Sequence, residues 1–382
     1  MHARRTHVAG IRQTRGMPKP PSAARLRAAR LESHGLRRGL TTVADAVRRL
    51  GAIQAQDFTA AKWVLGARVP RSVAADVDAA VESREIVRSW PMRGTLHLVP
   101  AERLRPILAI TGPRVQQQTA TRHRQLELDA ATYRRARAVA EAELAGGASR
   151  SRKELQTAWE AAGIGTRGQR GYHLISWLAH DAVVCWGPVE GRGQRLVLLD
   201  EWAPGQAAED RDETLAELFR TYVAGHGPAT VRDFAWWSGL THGDARVARA
   251  AAGGTVTEFD QERLVAMDAG WPADRASPTP RAAAAGLALA AFDEYFLGYT
   301  DRDAVCDRAH AGRVIPGGNG VFQPILVAGG RVVGTWRRGR DASSIVIEGF
   351  DAASPLDPVT FTTSLRAWSR FRGHELESVT VA

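Results

Sequence analysis

The chain has 382 residues, 44% hydrophobic and 24% charged, which is long enough for two or three modules with cores of ordinary size and too apolar for a disordered chain. Its formal charge is +10, and nearly all the positive charge is arginine, Lys19, Lys62 and Lys153 being the only lysines. Such a field favours a polyanionic partner such as nucleic acid, although a basic surface without a specific partner has the same composition. Two cysteines, Cys185 and Cys306, exclude a disulfide scaffold and fit a reducing cytoplasm; there is no CxxC, HExxH, G-x-S-x-G or G-x-x-x-x-G-K pattern, and hence no sequence case for a metal, a nucleotide loop or a serine hydrolase. The longest apolar run, residues 282–291, is too short for a membrane span.

Residues 1–21 carry Arg and His with no hydrophobic segment after them, and read as a disordered basic arm rather than a secretory signal. After them one pattern recurs: a helix, a second helix opened by Ser, Thr or a nearby Pro, a third helix, and a short hairpin. The first copy, residues 22–128, is predicted to have helices at 25–36, 43–50, 58–67 and 72–83, and strands at 87–90 and 95–99 paired across 91–94. The second, 129–205, has a helix at 133–145 that stops at Gly146-Gly147 and a helix at 152–161 opened by a capping box of Ser151 and Glu154. A helix at 172–179 and strands at 182–186 and 196–199, joined by a Gly/Pro-rich turn, complete it. Helices followed by a hairpin make a winged-helix arrangement, in which Arg167, Arg170 and His173 open the third helix and Arg192 and Arg195 lie on the wing, all as DNA contacts.

The third copy, 206–271, has helices at 213–224 (ending at Gly225), 231–238 and 241–251, then a hairpin of 255–259 and 263–267; the adjacent Trp236 and Trp237 read as core. Residues 272–280 are the expected link to a β-rich region at 281–382, with an apolar stretch at 292–299 and strands at 322–327, 332–336 and 344–348. In it, 313–320 is a glycine-rich hairpin or loop whose Arg313 and Asn319 either enter a DNA groove or belong to a surface connection. The fold class expected is α+β, mostly helical, with tandem winged helix-turn-helix units and a β-containing C-terminal region.

Chemistry has few places to sit. Gln54 and Gln56 flank Ala55 beyond Gly51; in an extended segment both amides face one side and can share one water or one sugar or base atom, or they can cap backbone groups without chemistry. Arg93 falls in a turn, free to reach phosphate, and the following strand puts Thr95, His97 and Val99 on one face; His97 is open as a base, a phosphate ligand or a structural histidine. Asp293-Glu294 and Asp301/Asp303 are paired carboxylates suited to ion pairs, to orienting a neighbour or to holding a cation weakly.

At these residues the sequence resembles the winged-helix DNA-binding superfamily whose characterised branches are DNA glycosylases for alkylated bases and interstrand crosslinks. The matching stretches are 51–58, 92–98, Arg170-Gly171-Tyr172 with Trp186-Gly187, and Phe292-Asp293-Glu294-Tyr295, extended by 320–324 and 334–338, so that the likeness covers about residues 24–368. It implies a C-shaped scaffold that holds double-stranded DNA in a basic channel, and a catalytic Gln-x-Gln motif at Gln54 and Gln56. The double-glutamine form implies excision of bulky or crosslinked N7-alkylpurines and self-resistance in producers of genotoxic natural products. Ala55 is smaller than the family's residue between the glutamines, a departure expected to widen the pocket or shift its substrate. Arg93, Thr95, His97 and the 313–319 loop are the expected lesion or DNA contacts, and Asp57, Asp293, Glu294 and Tyr295 are structural or orienting. The enzyme implied is a cytoplasmic, monomeric, metal-independent and cofactor-free monofunctional glycosylase, since an N7-alkylated purine is already a cationic leaving group and needs no strong base. The alternatives are a non-catalytic winged-helix regulator, and a metal-dependent nuclease using Asp293, Glu294 and Asp301.

Overall fold

The structure, a computed structural model, describes residues 22–191, 193–204, 210–267, 286–318 and 320–382. About half of these are helical, and strands in three sheets take up a smaller share, an α+β chain less helical than expected. The first elements are α1 (Ala23–Ser33), α2 (Val43–Leu50), β1 (Ile53–Gln54), α3 (Phe58–Gly66), α4 (Ala74–Glu82), β2 (Ile86–Met92) and β3 (Thr95–Pro100). Next come α5 (Ala101–Gln125), α6 (Ala130–Leu144), α7 (Arg152–Ala161), α8 (Arg170–His180), β4 (Val184–Glu190), β5 (Gly193–Leu198) and the short α9 (Leu199–Trp202). Then α10 (Arg211–His226), α11 (Val231–Ser238) and α12 (His242–Ala252) lead to β6 (Val256–Glu258) and β7 (Leu264–Ala266). The C-terminal part holds β8 (Leu287–Leu289), α13 (Glu294–Leu297), α14 (Arg308–Val314), β9 (Ile325–Ala328), β10 (Arg331–Arg338), β11 (Ser344–Gly349), α15 (Val359–Phe371) and β12 (Ser378–Val381).

Local chemistry explains the sharpest boundaries. Capping boxes open α2 (Thr42 with Asp45), α7 (Ser151 with Glu154) and α11 (Thr230 with Asp233), each satisfying two orphan N–H groups reciprocally. The helix expected to end at Gly225 runs to His226. Gly225 is instead the crossing point with α2, where a Cβ would stand 2.2 Å from the Arg49 carbonyl oxygen.

The first two hairpins are not separate. They join in one five-stranded sheet, β1-β3-β2-β4-β5, through the pairing of Arg88 with Trp186. A second sheet, β12-β11-β10-β9-β8, forms the C-terminal part, and β6 and β7 pair by themselves. One buried cluster joins the first sheet to α5, α10, α11 and α12; another joins α2, α3 and α4 to the second sheet and α15. Ile53 and Leu98 belong to the second cluster and Val87 and Val99 to the first, so the sheet is a partition between two cores with its β1 edge near their boundary. Residues 1–21 and 272–280, the expected arm and link, lie outside the described residues. No helix among the described residues is long and apolar enough to cross a membrane.

Candidate active site

Gly51 sets the site up. It closes α2 with φ of +75°, and a side chain there would meet Thr221 Cγ2 at 2.8 Å, so glycine lets the chain turn from α2 into β1 against α10. In β1, Ile53 pairs with Leu98 and Gln54 with His97. Ala55 is fully buried, whereas Gln54 is half-buried and Gln56 exposed, the alternation of an extended chain. The small side chain of Ala55 therefore affects packing behind the strand and not the face the glutamines share, which corrects the expectation of a pocket widened there.

The backbone of the motif is held from two sides. Ala55 donates its N–H to Leu96 O (2.7 Å), and its own carbonyl accepts from Arg88 Nε (2.9 Å). Arg88 also donates to Gln194 Oε1 (3.1 Å) and reaches Gln56 O (3.5 Å); burial and nearby Arg152 lower its pKa to about 10, against the pull of Asp57. On the other side the Gln54 N–H donates to Oε1 of the fully buried Glu294 (3.3 Å). Glu294 Oε2 accepts from Trp237 Nε1 (3.1 Å) and lies 3.3 Å from His226 Nε2.

The two amides are not equivalent. Gln56 Oε1 accepts the Leu96 N–H at 3.1 Å, and because a backbone N–H can only donate, that bond identifies the oxygen and leaves the NH2 group as the free end. Among the described residues the Gln54 amide makes no hydrogen bond, so both its oxygen and its NH2 are available.

His97 is fully buried, which removes it as a direct lesion contact or phosphate ligand. Its Nδ1 lies 2.8 Å from Thr95 O and must carry the proton; Nε2 then accepts from Arg93 Nη2 at 3.0 Å. Burial, with the Arg93 charge beside it, lowers its pKa to about 3, so it is neutral and no base near pH 7. Arg93 itself is half-buried, its pKa lowered by burial against the pull of Glu294 and Tyr222. Around this pair, Ser89 Oγ, Arg93 Nη1 and Thr95 Oγ1 are buried without a hydrogen-bond partner among the described residues. Trp236, expected in the core with Trp237, is 36% exposed; its ring takes the guanidinium groups of Arg93 at 5.3 Å and Arg302 at 5.2 Å. Trp237 is fully buried.

Asp57 accepts the Ala60 N–H at 3.0 Å and so caps α3. Asp293 pairs bidentately with buried Arg68 at 2.8 and 2.9 Å and accepts the Tyr295 N–H, and buried Tyr295 donates its hydroxyl to Gly330 O at 2.7 Å. With Asp293 and Glu294 both engaged inside the protein, the nuclease reading loses two of its three carboxylates.

Most of the remote cations expected at DNA are held internally. Arg170 donates to the carbonyls of Gly165 (2.8 Å), Leu126 and Glu127 (3.2 Å), tying α8 to the end of α5. His173 Nδ1 faces His123 Nε2 at 3.2 Å, and Arg195 is bonded to Glu154, Glu190 and Ser149. Arg313 lies in α14 rather than in a hairpin, bound to Phe350 O (2.9 Å) and Glu348 (2.5 Å). Arg167 is exposed in the turn before α8, while Arg192 and Asn319 fall outside the described residues. Sequence reasoning gives no site role to Arg88, Gln194 or Arg302 and places Trp236 in the core; their positions at the site come from pairing across the sheet and from α11, which no local pattern announces.

A family model described as "DNA glycosylase AlkZ-like" matches residues 47–370. A curated relative from Streptomyces sahachiroi, "Interstrand DNA cross-link repair glycosylase", is 27% identical over 316 residues, spanning 77% of this chain and 82% of the relative. Among solved structures, Streptomyces sahachiroi DNA glycosylase AlkZ superposes with a TM-score of 0.80 at 23% identity, over 95% of this chain and 100% of that chain.

Proposed function

The chain belongs to the AlkZ-like DNA glycosylase family, and is thus an enzyme that cleaves N-glycosidic bonds in DNA; from that premise we propose that Gln54 and Gln56 carry out the hydrolysis of N7-alkylated purines in duplex DNA. The substrates are bulky adducts or interstrand crosslinks, in keeping with the name of the Streptomyces relative, and the product is an abasic site. A role in self-resistance to a genotoxic natural product accords with such substrates.

The observation that carries this reading is the Gln54 amide, unengaged on an edge strand whose backbone N–H is anchored by buried Glu294. Alkylation at N7 makes the purine a cationic leaving group, so catalysis needs a placed water and stabilisation of an oxocarbenium-like sugar rather than a strong base. The Gln54 oxygen accepts a hydrogen bond from the water and aims the water oxygen at C1′. Gln56, its oxygen tied to Leu96, turns its NH2 toward the water or the deoxyribose. Lys62, the one lysine near the motif in sequence, is bound to Asp78 (2.7 Å), which supports hydrolysis without a Schiff base and hence a monofunctional reaction.

The same reading takes residues 22–128, 129–205 and 206–271 as tandem winged-helix units and 281–382 as a β-rich region, arranged as a C-shaped scaffold that encloses DNA as a monomer. The sheet shared by the first two hairpins would fix those two units relative to each other.

The test is a duplex carrying one N7-alkylguanine, incubated without added metal and resolved before and after hot alkali. Strand breaks that appear only after alkali are expected, and Gln54→Ala should slow single-turnover excision by roughly 10² to 10⁴ with little loss of affinity. Binding without excision of a methyl, a bulky and a crosslinked lesion would overturn the reading in favour of a non-catalytic binder.

A further inference from the structure

Strand register brings a group of arginines to the side of the first sheet on which Gln54 lies. Ser89, His97 and Gln54 are directly opposed across β2, β3 and β1, so their side chains share one face. On that face Arg93 Nη2 donates to His97 Nε2. The hairpin tip then docks on the end of α11. Gly239 closes that helix with φ of +71°, a Cβ there would stand 3.1 Å from Arg93 Cγ, and its carbonyl accepts from Arg114 Nε at 2.8 Å. The partly exposed ring of Trp236 holds the guanidinium groups of both Arg93 (5.3 Å) and Arg302 (5.2 Å). Arg232 is exposed one helical turn before Trp236, about 6 Å away along α11.

Among the described residues none of these four arginines has a carboxylate partner, because the nearby acidic groups are spent elsewhere. Glu294, which pulls on Arg93, serves the Gln54 and Trp237 N–H groups. Asp233, which pulls on Arg302, caps α11 at Thr230 and accepts the Thr300 N–H (2.9 Å) and hydroxyl (2.6 Å). Asp301 accepts the Asp303 N–H, and Asp303 is paired with Arg308. Burial lowers the Arg302 pKa, and the Arg93 charge adds to this against the pull of Asp233, so like charges stand together without a counter-ion from the protein. Arg302 Nε is bound to Phe296 O at 2.8 Å and Arg114 Nε to Gly239 O. The terminal nitrogens of both make no hydrogen bond among the described residues and are not buried, so they reach solvent. Arg93 lies deeper and contributes its field.

We propose that Arg302, Arg114 and Arg232, grouped about Trp236, grip the phosphodiester backbone of duplex DNA on the Gln54 side of the sheet. Guanidinium forks pair with phosphate oxygens two at a time, and an anion set among them relieves their mutual repulsion. The source of the phosphate follows from the family to which the chain belongs; the roles of Gln54 and Gln56 do not enter. A free phosphate ion has the same chemistry, and the experiment separates the two.

The affinity of the full chain for an undamaged duplex, followed by fluorescence anisotropy at increasing salt, counts the phosphates held, since each adds about 0.9 to the slope of log K against log salt. Arg302→Gln and Arg232→Gln should each flatten the slope by about 1, and Arg302→Lys should restore it. Arg366→Gln removes the same charge from the exposed side of α15, which packs in the core on the other face of the sheet, and should keep the parental slope. Arg232 is exposed and its side chain makes no hydrogen bond or ion pair among the described residues, so that variant keeps its fold. A parental slope in both Arg232→Gln and Arg302→Gln, or in Arg232→Gln alone should Arg302→Gln fail to fold, overturns the proposal. An equal fall in Arg366→Gln overturns it as well, since the slope would then report net charge only. Inorganic phosphate that raises the melting temperature of the parent but not of Arg302→Gln, with duplex slopes unchanged, assigns the group to a free anion and also overturns the DNA contact. No base is excised in these measurements, so they stand whether or not Gln54 and Gln56 prove catalytic.

Discussion

Glu294→Gln should damage both stability and turnover, and the structure says why an isosteric change is not benign here. The two carboxylate oxygens face two obligate donors, the Gln54 N–H on Oε1 and the Trp237 indole N–H on Oε2, with no solvent to substitute for either. An amide has one oxygen. Whichever donor it serves, its NH2 meets the other head-on, so at least one hydrogen bond to a charged acceptor is lost, about 1.5 to 3 kcal/mol, and a buried N–H is left unsatisfied for a further ~1 to 3 kcal/mol. Urea unfolding should therefore show a loss of about 3 to 5 kcal/mol, and single-turnover excision should fall by roughly 10- to 100-fold as the β1 backbone is displaced. Adding Trp237→Phe removes the second donor and lets the amide turn its oxygen to Gln54. The double variant should then recover part of the excision rate, and the coupling between the two changes should be about 1 to 3 kcal/mol. Parental stability and rate in Glu294→Gln, or zero coupling in the cycle, would refute the role given to this carboxylate.

Acid should destabilise the protein well before its carboxylates titrate. His97 has its pKa lowered to about 3 by burial and Arg93, and His34 is held well below the ordinary value by burial and by its electrostatic neighbours, Arg68, Arg30 and Arg49 among them. The unfolded chain takes up these protons below about pH 6.5 while the folded chain does not, so stability is lost as pH falls from about 6.5, by about 2 kcal/mol at pH 5 for His97, with a further loss in the same direction from His34. Denaturation at pH 7.5, 6 and 5 checks this, and a flat profile counts against it. Asp293→Asn breaks a fully buried pair with Arg68 and should cost about 3 to 5 kcal/mol in the same assay. Gly51→Ala adds backbone strain at φ +75° and a contact with Thr221, together about 2 to 4 kcal/mol, and should slow excision because the turn aims β1.

What was legible in the sequence was what the chain decides locally. Residues 43–50, 152–161 and 231–238 were placed to the residue because their capping boxes are formed by neighbours three positions apart. Residues 101–128 received no element, and they contain the longest helix of the chain. Pro106 and Pro113 interrupt the helical signal, yet the helix persists because tertiary burial of Leu104, Ile107, Leu108 and Ile110 outweighs the donors lost. Alternation puts Thr95, His97 and Val99 on one face but says nothing of which side that face looks to, so it cannot decide between a contact and the buried structural role that His97 has. The joining of the first two hairpins is likewise invisible, because Arg88 and Trp186 stand 98 positions apart and the sequence between them carries no mark of register. At the site itself the Gln-x-Gln segment could be read, whereas its anchors could not: Glu294 lies 240 positions away, and Arg88 reaches it across a neighbouring strand.

The inequality of the two glutamines leads to a test that a pair of alanine variants would miss. Gln56 spends one acceptor on the Leu96 N–H, and the outward part of its amide is a donor; Gln54 has no such tie, and the water-binding role asks for its acceptor. Replacing Gln54 by Glu keeps an acceptor of the same reach and strengthens it toward a water proton, so excision of an N7-alkylguanine should stay within about tenfold of the parent. Replacing Gln56 by Glu keeps the bond to Leu96 but exchanges the outward donor for a carboxylate oxygen that can no longer donate to the water or to a deoxyribose oxygen and that repels the neighbouring phosphates, and excision should fall about 100-fold. If the two glutamines were interchangeable water ligands, both substitutions would act alike. A Gln56→Glu enzyme as active as Gln54→Glu would therefore remove the division of labour inferred from the single hydrogen bond at Leu96, while leaving the motif itself in place.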